Sequence, residues 1–216
     1  MDRKMHPAPA DDRIGTASRD VTAVVLCGGR GSRLGGVDKG LLEVEGAALI
    51  DSLVARLQPR VHSVLISANR NLEAYATRGH RIVVDAFDDC GPLAGVHAAL
   101  SACPTDYLFV CPADAPGLDG AIVAALRARI GARDAIHLRD GTRAQALHAL
   151  IHVRLADSLA EFLAAGGRAV HAWLRAVDAI DVDLRLPAET FHNINTPDDL
   201  RAWQARRDTA GDPSQR

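Results

Sequence analysis

A glycine-rich loop beside basic side chains is the stretch of this chain best suited to chemistry. It contains five glycines within nine residues, Gly28, Gly29, Gly31, Gly35 and Gly36. Glycine has no Cβ atom, so several backbone N–H groups can converge on one anion. Arg30, Arg33 and Lys39 add positive charge to the same stretch. The combination predicts a site for the polyphosphate of a nucleoside triphosphate.

Two common phosphate-loop patterns fail to describe this loop. The pattern GxGxxG would need a glycine where Leu34 stands, and GxxxxGK[ST] would need a lysine where Val37 stands. Lys39 is informative because the chain has only two lysines among its 25 basic residues, and the other, Lys4, lies in a polar terminal stretch. A compact point charge suits a phosphate, so we expect Lys39 to contact phosphates.

Three polar side chains come directly after apolar runs that are typical of strands. Asp114 follows the run at residues 107–111. Mg²⁺ is commonly held by one or two carboxylates together with substrate phosphates, so Asp114 is the candidate metal ligand. Asp85 ends another predicted strand and can accept hydrogen bonds from guanine or a ribose, or cap a turn. Asn69 follows a third predicted strand, and its amide can donate and accept hydrogen bonds with the edge of a base or with a ribose, or it can form a turn.

Other candidate residues have less specific surroundings. The loop at residues 91–95, Gly-Pro-Leu-Ala-Gly, opens a predicted helix. Because a helix N-terminus favours anions, it is expected to hold a phosphate or a second substrate, with a tight packed turn as the alternative. Cys27 has no base nearby in the sequence, so a buried thiol is predicted rather than a nucleophile. His148 and His152 are interpreted as packing or surface histidines.

The composition excludes several classes of protein. At 216 residues, 48% apolar and 24% charged, the chain suits one sizeable globular domain. Its net charge of −2 argues against nucleic acid as a partner. No apolar run approaches the ~18 residues of a membrane span, and the first residues lack a leader-like apolar core, which favours the cytoplasm. Four cysteines without a CxxC spacing predict reduced, mostly buried thiols.

Strand and helix patterns alternate along the chain. Strands are predicted at 23–27, 61–68, 81–84, 107–111, 135–138, 146–152 and 179–182. Helices are predicted at 48–57, 72–77, from the loop at 88–95 to about 102, at 119–130 with Asp119 as the N-cap, at 156–165 and at 168–174. Thr196 and Pro197 predict the start of a last helix, which ends at about 206. This order predicts a three-layer α/β/α sandwich with a Rossmann-like, mostly parallel sheet. Ligands gather at the carboxyl ends of parallel strands, so the glycine loop, Asn69, Asp85 and Asp114 should line one crevice.

The predicted domain organisation is simple. Residues 1–20 and 208–216 are polar and aperiodic, which predicts disordered tails. Residues 21–207 are predicted to form a single domain, with a nucleotide half at about 21–115 and a second-substrate half at about 116–207.

Several motifs together resemble one enzyme family. The stretch LCGGRGSRLGGVDKG is similar to the signature loop, roughly LAGGxGxRMGxxK, of nucleotidyltransferases that act on small molecules. With Ala68-Asn69-Arg70, Asp85, GPLAG, CPADAP and NINTPDDL, it resembles the molybdenum cofactor guanylyltransferases. The motifs extend in order from about Val21 to Trp203. Two departures are Cys27, where alanine is usual, and Ala146, where many relatives have proline in a Gln-Pro-Leu motif.

The resemblance implies a nucleotidyltransferase-type fold, transfer of GMP from GTP to molybdopterin, and Mg²⁺ held by Asp114. Arg33, Lys39 and Asp114 are the implied catalytic residues, with Arg33 and Lys39 stabilising the pyrophosphate leaving group. The implied GTP-binding residues are Leu26, Cys27, Gly28, Gly29, Lys39, Asn69, Asp85 and Asp114. The implied molybdopterin-side residues are Gly91, Pro92, Leu93, Gln145, Asn193 and Asn195.

Two other functions stay open at this stage. One is a sibling nucleotidyltransferase, such as a molybdopterin cytidylyltransferase that uses CTP. The other is a non-catalytic carrier of molybdopterin or nucleotide, against which the joint presence of Lys39 and Asp114 argues. The expected partners are GTP and molybdenum-bearing molybdopterin, with proteins that supply molybdopterin or receive the product, and neither nucleic acid nor a membrane.

Overall fold

The computed structural model of the protein describes residues 18–28, 38–44, 46–141 and 143–210. Some predictions lie outside these residues. They concern the two ends of the chain, 1–17 and 211–216, and positions 29–37 of the glycine loop, which include Gly29 and Arg33.

The described strands form one large sheet and a small hairpin. They are β1 (Ser18–Leu26), β2 (Glu43–Val44), β3 (Ala47–Ala48), β4 (Val61–Ser67), β5 (Arg81–Val83), β6 (Tyr107–Pro112), β7 (Ala135–Asp140), β8 (Arg143–His152) and β9 (Ile180–Asp183). Seven of them make the sheet, in the order β5-β4-β1-β6-β8-β7-β9, while β2 and β3 pair with each other. Among its pairs, β8 runs antiparallel to both neighbours and the remaining pairs are parallel. The mostly parallel sheet is thereby confirmed.

Helices cover both faces of this sheet. They are α1 (Leu49–Leu57), α2 (Leu72–Ala76), α3 (Pro92–Ala102), α4 (Ala121–Arg127), α5 (Ala156–Ala164), α6 (Val170–Ala176) and α7 (Pro197–Ala210). Successive residues of a strand point to opposite faces. Accordingly Val21, Ala23 and Val25 of β1 pack with α1 and α4, whereas Val24 and Leu26 pack with α3, α5 and α6. These two apolar clusters confirm the predicted three-layer sandwich.

Several predicted boundaries differ from those in the structure. The N-terminal tail was predicted to reach residue 20, but β1 begins at Ser18, and Asp20 Oδ2 accepts a hydrogen bond from Arg127 Nε at 2.6 Å. The C-terminal tail was predicted from residue 208, but α7 continues to Ala210. The helix predicted from residue 119 begins at Ala121, because the Asp119 carboxylate accepts from the Ala121 N–H at 2.8 Å before the first helical turn. The division into two substrate halves stays a prediction.

Within the described residues, no helix combines the length and apolarity needed to cross a membrane.

A substitution at Leu53 tests the contribution of the apolar contact between α1 and the sheet to stability. It is 1% exposed, in the middle of the helix, and belongs to the same cluster as Val25 of β1. We expect Leu53→Ala to lower the free energy of unfolding by about 2–5 kcal/mol, because a cavity replaces packed methyl groups. Leu72→Ala on α2 is the matched control, since Leu72 is 39% exposed. Urea unfolding measures both, and equal losses would contradict the assignment of Leu53 to the core.

His148 is a buried ionisable side chain on β8. It is 2% exposed, and its ring packs edge-to-face against Phe191, with the ring centroids 5.6 Å apart. Neither ring nitrogen has a hydrogen-bond partner among the described residues. Burial lowers the pKa of His148 from 6.5 to about 4, because the imidazolium would lose its hydration. The predicted packing role of His148 is confirmed, and half-buried His152 packs on Tyr107.

Acidification should destabilise the protein through His148. Between about pH 4 and pH 6.5 the unfolded state binds more protons at this position than the folded state. The free energy of unfolding therefore falls as the pH is lowered through that window, by on the order of 3 kcal/mol at its lower end. We expect His148→Leu to remove this part of the pH dependence. Urea unfolding of both proteins at about pH 7 and about pH 4 checks it, and parallel losses would refute it.

Candidate active site

One crevice opens at the carboxyl ends of the parallel strands, with a volume of about 1080 Å³. It brings together most of the residues singled out from the sequence. Those that line it are Leu26, Cys27, Gly28, Lys39, Asn69, Asp85, Gly91, Pro92, Asp114, Gln145, Asn193 and Asn195. The predicted meeting of the strand ends in one crevice is thereby confirmed for the described residues, while the binding role of each residue stays a prediction.

Leu93 is the exception among the described candidates. Its side chain is fully buried and packs in the apolar cluster between α3 and the sheet. The Leu93 side chain therefore does not line the crevice, and its role on the molybdopterin side stays a prediction for its backbone. The first turn of α3 presents Gly91 and Pro92 to the crevice, and the next residue turns inward toward Leu26 and Leu65.

Lys39 joins two separate parts of the crevice. It begins a short 3₁₀ turn, Lys39–Leu41, directly after the glycine loop. Its Nζ donates to Asp114 Oδ2 at 2.8 Å, at the end of β6, and also to Asn195 Oδ1. The side chains of Lys39 and Asp114 are 29% and 15% exposed, so the ion pair is only partly screened by water.

The segment that carries Asn195 is fixed at both ends. The backbone N–H of Ile194 donates to the carbonyl oxygen of Asp114 at 2.9 Å. On the other side, Asp199 Oδ2 accepts from the N–H groups of Asn195 and Thr196, and Thr196 Oγ1 accepts from the Asp199 N–H. This is a capping box at the start of α7. The same hydrogen bonds hold the pKa of Asp199 below its usual value, the bond from Asn195 contributing most.

Asp114 has one carboxylate oxygen left for a ligand. Its Oδ2 accepts from Lys39, whereas its buried Oδ1 has no hydrogen-bond partner within the described part of the chain. No group of three or more His, Cys, Asp or Glu side chains in that part could enclose a metal ion. A cation on Asp114 would therefore need most of its oxygen ligands from a substrate, as Mg²⁺ sites on phosphates commonly do.

Asn69 and Asp85 hold each other in place. Asn69 Nδ2 donates to Asp85 Oδ2 at 2.7 Å, and the Asp85 N–H donates to Asn69 Oδ1 at 2.9 Å. Burial raises the pKa of Asp85, and the hydrogen bond from Asn69 opposes that rise. Asp85 Oδ1 is buried without a partner among the described residues. It faces α3 closely, since a Cβ added at Gly95 would lie 3.4 Å away from it.

Cys27 is unsuited to nucleophilic catalysis. The side chain is 5% exposed, and burial raises the pKa of its thiol to about 12, although a hydrogen bond with Tyr75 opposes the shift. The neutral thiol is a poor nucleophile, so the expectation of a buried thiol is confirmed. Its backbone N–H donates to the carbonyl oxygen of Ser67 at 2.8 Å and extends the β1–β4 pairing to the rim of the crevice.

The sequence analysis missed a polar cluster beneath Lys39. Asp38 is buried and accepts hydrogen bonds from the side chains of Asn71 and Tyr75. Only the position of Asp38 next to the single lysine of the glycine-rich loop could have drawn attention to it, because its partners lie more than 30 positions away in the sequence.

The chain is similar in sequence to known proteins. Residues 23–180 match the family described as the MobA-like NTP transferase domain. A molybdenum cofactor guanylyltransferase of Ralstonia nicotianae is 42% identical over 200 residues, which cover 87% of this chain and 98% of the relative. A molybdenum cofactor guanylyltransferase of Serratia proteamaculans is 38% identical over 189 residues, which cover 87% and 96%.

Solved structures share the fold. The molybdopterin-guanine dinucleotide biosynthesis protein A of Archaeoglobus fulgidus superposes with a TM-score of 0.74 at 22% identity, over 87% of this chain and 99% of the other. The match to the family extends from the middle of β1 to the start of β9 and includes every strand of the sheet that bears on the crevice. The chain belongs to the MobA-like NTP transferase family.

Proposed function

We propose that the protein is a molybdenum cofactor guanylyltransferase, which transfers GMP from GTP to molybdopterin and releases pyrophosphate. The contact that carries this proposal is the bridge from Lys39 to Asp114 and Asn195. It puts a cation at the junction between the strand ends expected to bind the nucleotide and the segment expected to bind the second substrate. The names of the 42% and 38% identical relatives supply the identity of the two substrates.

Asn69 and Asp85 bind the nucleoside in this proposal. The bare Asp85 Oδ1 can accept a hydrogen bond from N1–H or the amino group of guanine, a pair of adjacent donors that cytosine lacks. The hydrogen bond from Asn69 fixes the orientation of that carboxylate before the base arrives. A site built to receive guanine donors leaves a buried acceptor unpaired when another base enters, which is how it discriminates.

Asp114 fits Mg²⁺ as a single carboxylate ligand, because its Oδ1 is unpaired and the rest of an octahedron can come from phosphate oxygens and water. Mg²⁺ bound there would neutralise negative charge on the phosphates. Lys39 Nζ lies beside the same carboxylate and donates to the oxygens of the leaving pyrophosphate. Arg33, outside the described residues, is proposed to assist it.

The transfer needs orientation and charge stabilisation rather than proton removal. The terminal phosphate of molybdopterin is already an anion, and one of its oxygens forms a bond to the α-phosphorus of GTP. The bond from that phosphorus to the bridging oxygen breaks, and its electron pair leaves with pyrophosphate. Asn193 and Asn195 hold the incoming phosphate in this proposal, with Gly91, Pro92 and Gln145 further along the crevice. Cys27 has no covalent role in this proposal, because its thiol is buried and its pKa is raised by that burial.

A cytoplasmic location, and protein partners that deliver molybdopterin or accept the product, stay predictions from the sequence.

A thermal-shift assay with each nucleotide tests the choice of substrate. A ligand at about 100 times its dissociation constant adds about 2.7 kcal/mol of stability, which raises the melting temperature of a chain of this size by about 5–10 °C. We expect that shift with GTP and Mg²⁺, and little with ATP, CTP or UTP. Asp85→Asn should abolish the preference for GTP. A shift with CTP alone would assign the protein to the cytidylyl siblings instead.

Turnover of GTP in the presence of molybdopterin tests Lys39 and Asp114. We expect Lys39→Ala and Asp114→Asn each to lower kcat by about 100-fold or more, because each removes charge stabilisation of the transition state. Lys4→Ala is the matched control for the only other lysine. Asp106→Asn is the control for the carboxylate, since Asp106 is exposed just before β6 and Asp114 lies just after it. Near-wild-type turnover in either site variant would overturn the assigned role.

A further inference from the structure

Asp38 is a buried carboxylate at the start of the described segment that follows the glycine loop. It is 6% exposed and caps the 3₁₀ turn that begins with Lys39, because its Oδ1 accepts from the Gly40 N–H at 3.2 Å and its carbonyl oxygen accepts from the Leu41 N–H at 3.1 Å. A buried charge is costly unless several donors compensate it. Such a group immediately before a proposed catalytic residue calls for an explanation beyond capping.

The donors to this carboxylate come from another part of the fold. Tyr75 Oη donates to Asp38 Oδ1 at 2.6 Å, and Asn71 Nδ2 donates to Asp38 Oδ2 at 2.9 Å. Arg70 Nε lies 3.7 Å from the same Oδ2 and forms an ion pair with it. Hydrogen bonds to an ionised acceptor are the stronger kind, so these contacts hold the Asp38 side chain in one position.

The cluster is also closely packed on the side of the turn. A Cβ added at Gly40 would lie 2.5 Å from Tyr75 Oη and 3.0 Å from Cys27 Sγ. Tyr75 is fully buried, so its hydroxyl cannot move away from that contact without disturbing the core. Position 40 therefore needs glycine for the hydroxyl of Tyr75 to reach Asp38.

Lys39 is held at both of its ends as a result. The Asp38 cluster fixes its backbone, and Asp114 and Asn195 accept from its Nζ. A lysine side chain has a flexible four-carbon stem. The direction of its Cα–Cβ bond, which the backbone sets, therefore limits the positions that the ammonium group can reach. Asn69 is followed directly by Arg70 and Asn71, so the segment that pairs with Asp85 also holds Asp38.

We propose that Asp38 and Tyr75 are positioning residues, which set the direction of Lys39 in the crevice through the Tyr75–Asp38 hydrogen bond. The consequence for catalysis rests on the proposed function, because it assumes that Lys39 stabilises the leaving pyrophosphate. The position of Lys39 itself can be measured without any turnover.

Nuclear magnetic resonance of the lysine side chains gives that measurement. The chain has only two lysines, so labelling lysine at Cε gives two signals, and Lys4→Arg identifies the one from Lys39. We expect Tyr75→Phe to shift the Lys39 signal, because the variant keeps the ring and removes only the donor to Asp38. Tyr107→Phe is the matched control on the only other tyrosine, at the opposite end of β6 from Asp114, and should leave that signal in place.

A double-mutant cycle in turnover separates positioning from general damage. We expect Tyr75→Phe to lower kcat by about 10- to 100-fold with KM for GTP within about twofold, since a misplaced group costs rate rather than binding. In the Lys39→Ala background the same substitution should change kcat by less than about twofold, because the residue through which Tyr75 acts is gone. Asp38→Asn, which keeps the shape and removes the charge, should behave in the same way.

Each alternative result has a defined meaning. An unmoved Lys39 signal in Tyr75→Phe, or equal falls in kcat with and without Lys39, would overturn the positioning role. If the wild-type protein failed to turn over GTP, the proposed function would be wrong, and the shift of the Lys39 signal would still decide for or against positioning.

Discussion

The two hydrogen bonds that the ammonium group of Lys39 donates join the two sides of the crevice. Its two acceptors, Asp114 and Asn195, lie 81 positions apart in the sequence, at the end of β6 and just before α7. The backbone hydrogen bond from Ile194 to Asp114 joins the same two chain segments. The main chain and the lysine therefore both hold the two acceptors next to each other.

The sheet explains why the acceptors are where they are. Parallel strands end at one edge, so β1, β4, β5 and β6 deliver Gly28, Asn69, Asp85 and Asp114 to the same side. Apolar clusters on both faces keep that edge from shifting. The polar residues that follow each strand then need only short connections to reach a shared ligand. The sheet topology brings these residues to one edge, and side-chain hydrogen bonds then fix their orientations.

The sequence could predict the residues that strand order places in the crevice, but not the hydrogen bonds between side chains that are distant in the sequence. A polar residue directly after an apolar strand is visible as a pattern, so Asn69, Asp85 and Asp114 could be placed in one crevice without coordinates. Asp38 and Tyr75 could not, because their meeting depends on the turn at Gly40 and on the side of α2 that faces the sheet. The burial of the Leu93 side chain could not be predicted for a related reason, since a motif specifies neighbours in sequence but not which of them turns inward. The polar Ser18 at the start of β1 pairs with Val61 of β4 through the main chain, which leaves no apolar signal.

The reversed direction of β8 has a consequence for how this architecture can change. The parallel strands contribute their last residues and those that come after them, but β8 lines the crevice with four consecutive residues from within the strand, Gln145, Ala146, Leu147 and His148. Side chains within a strand can be exchanged without altering the length or path of a loop. One wall of the crevice can thus be remodelled by point substitution while the residues that follow the parallel strands keep their geometry, so the shape of the crevice can change on one side alone.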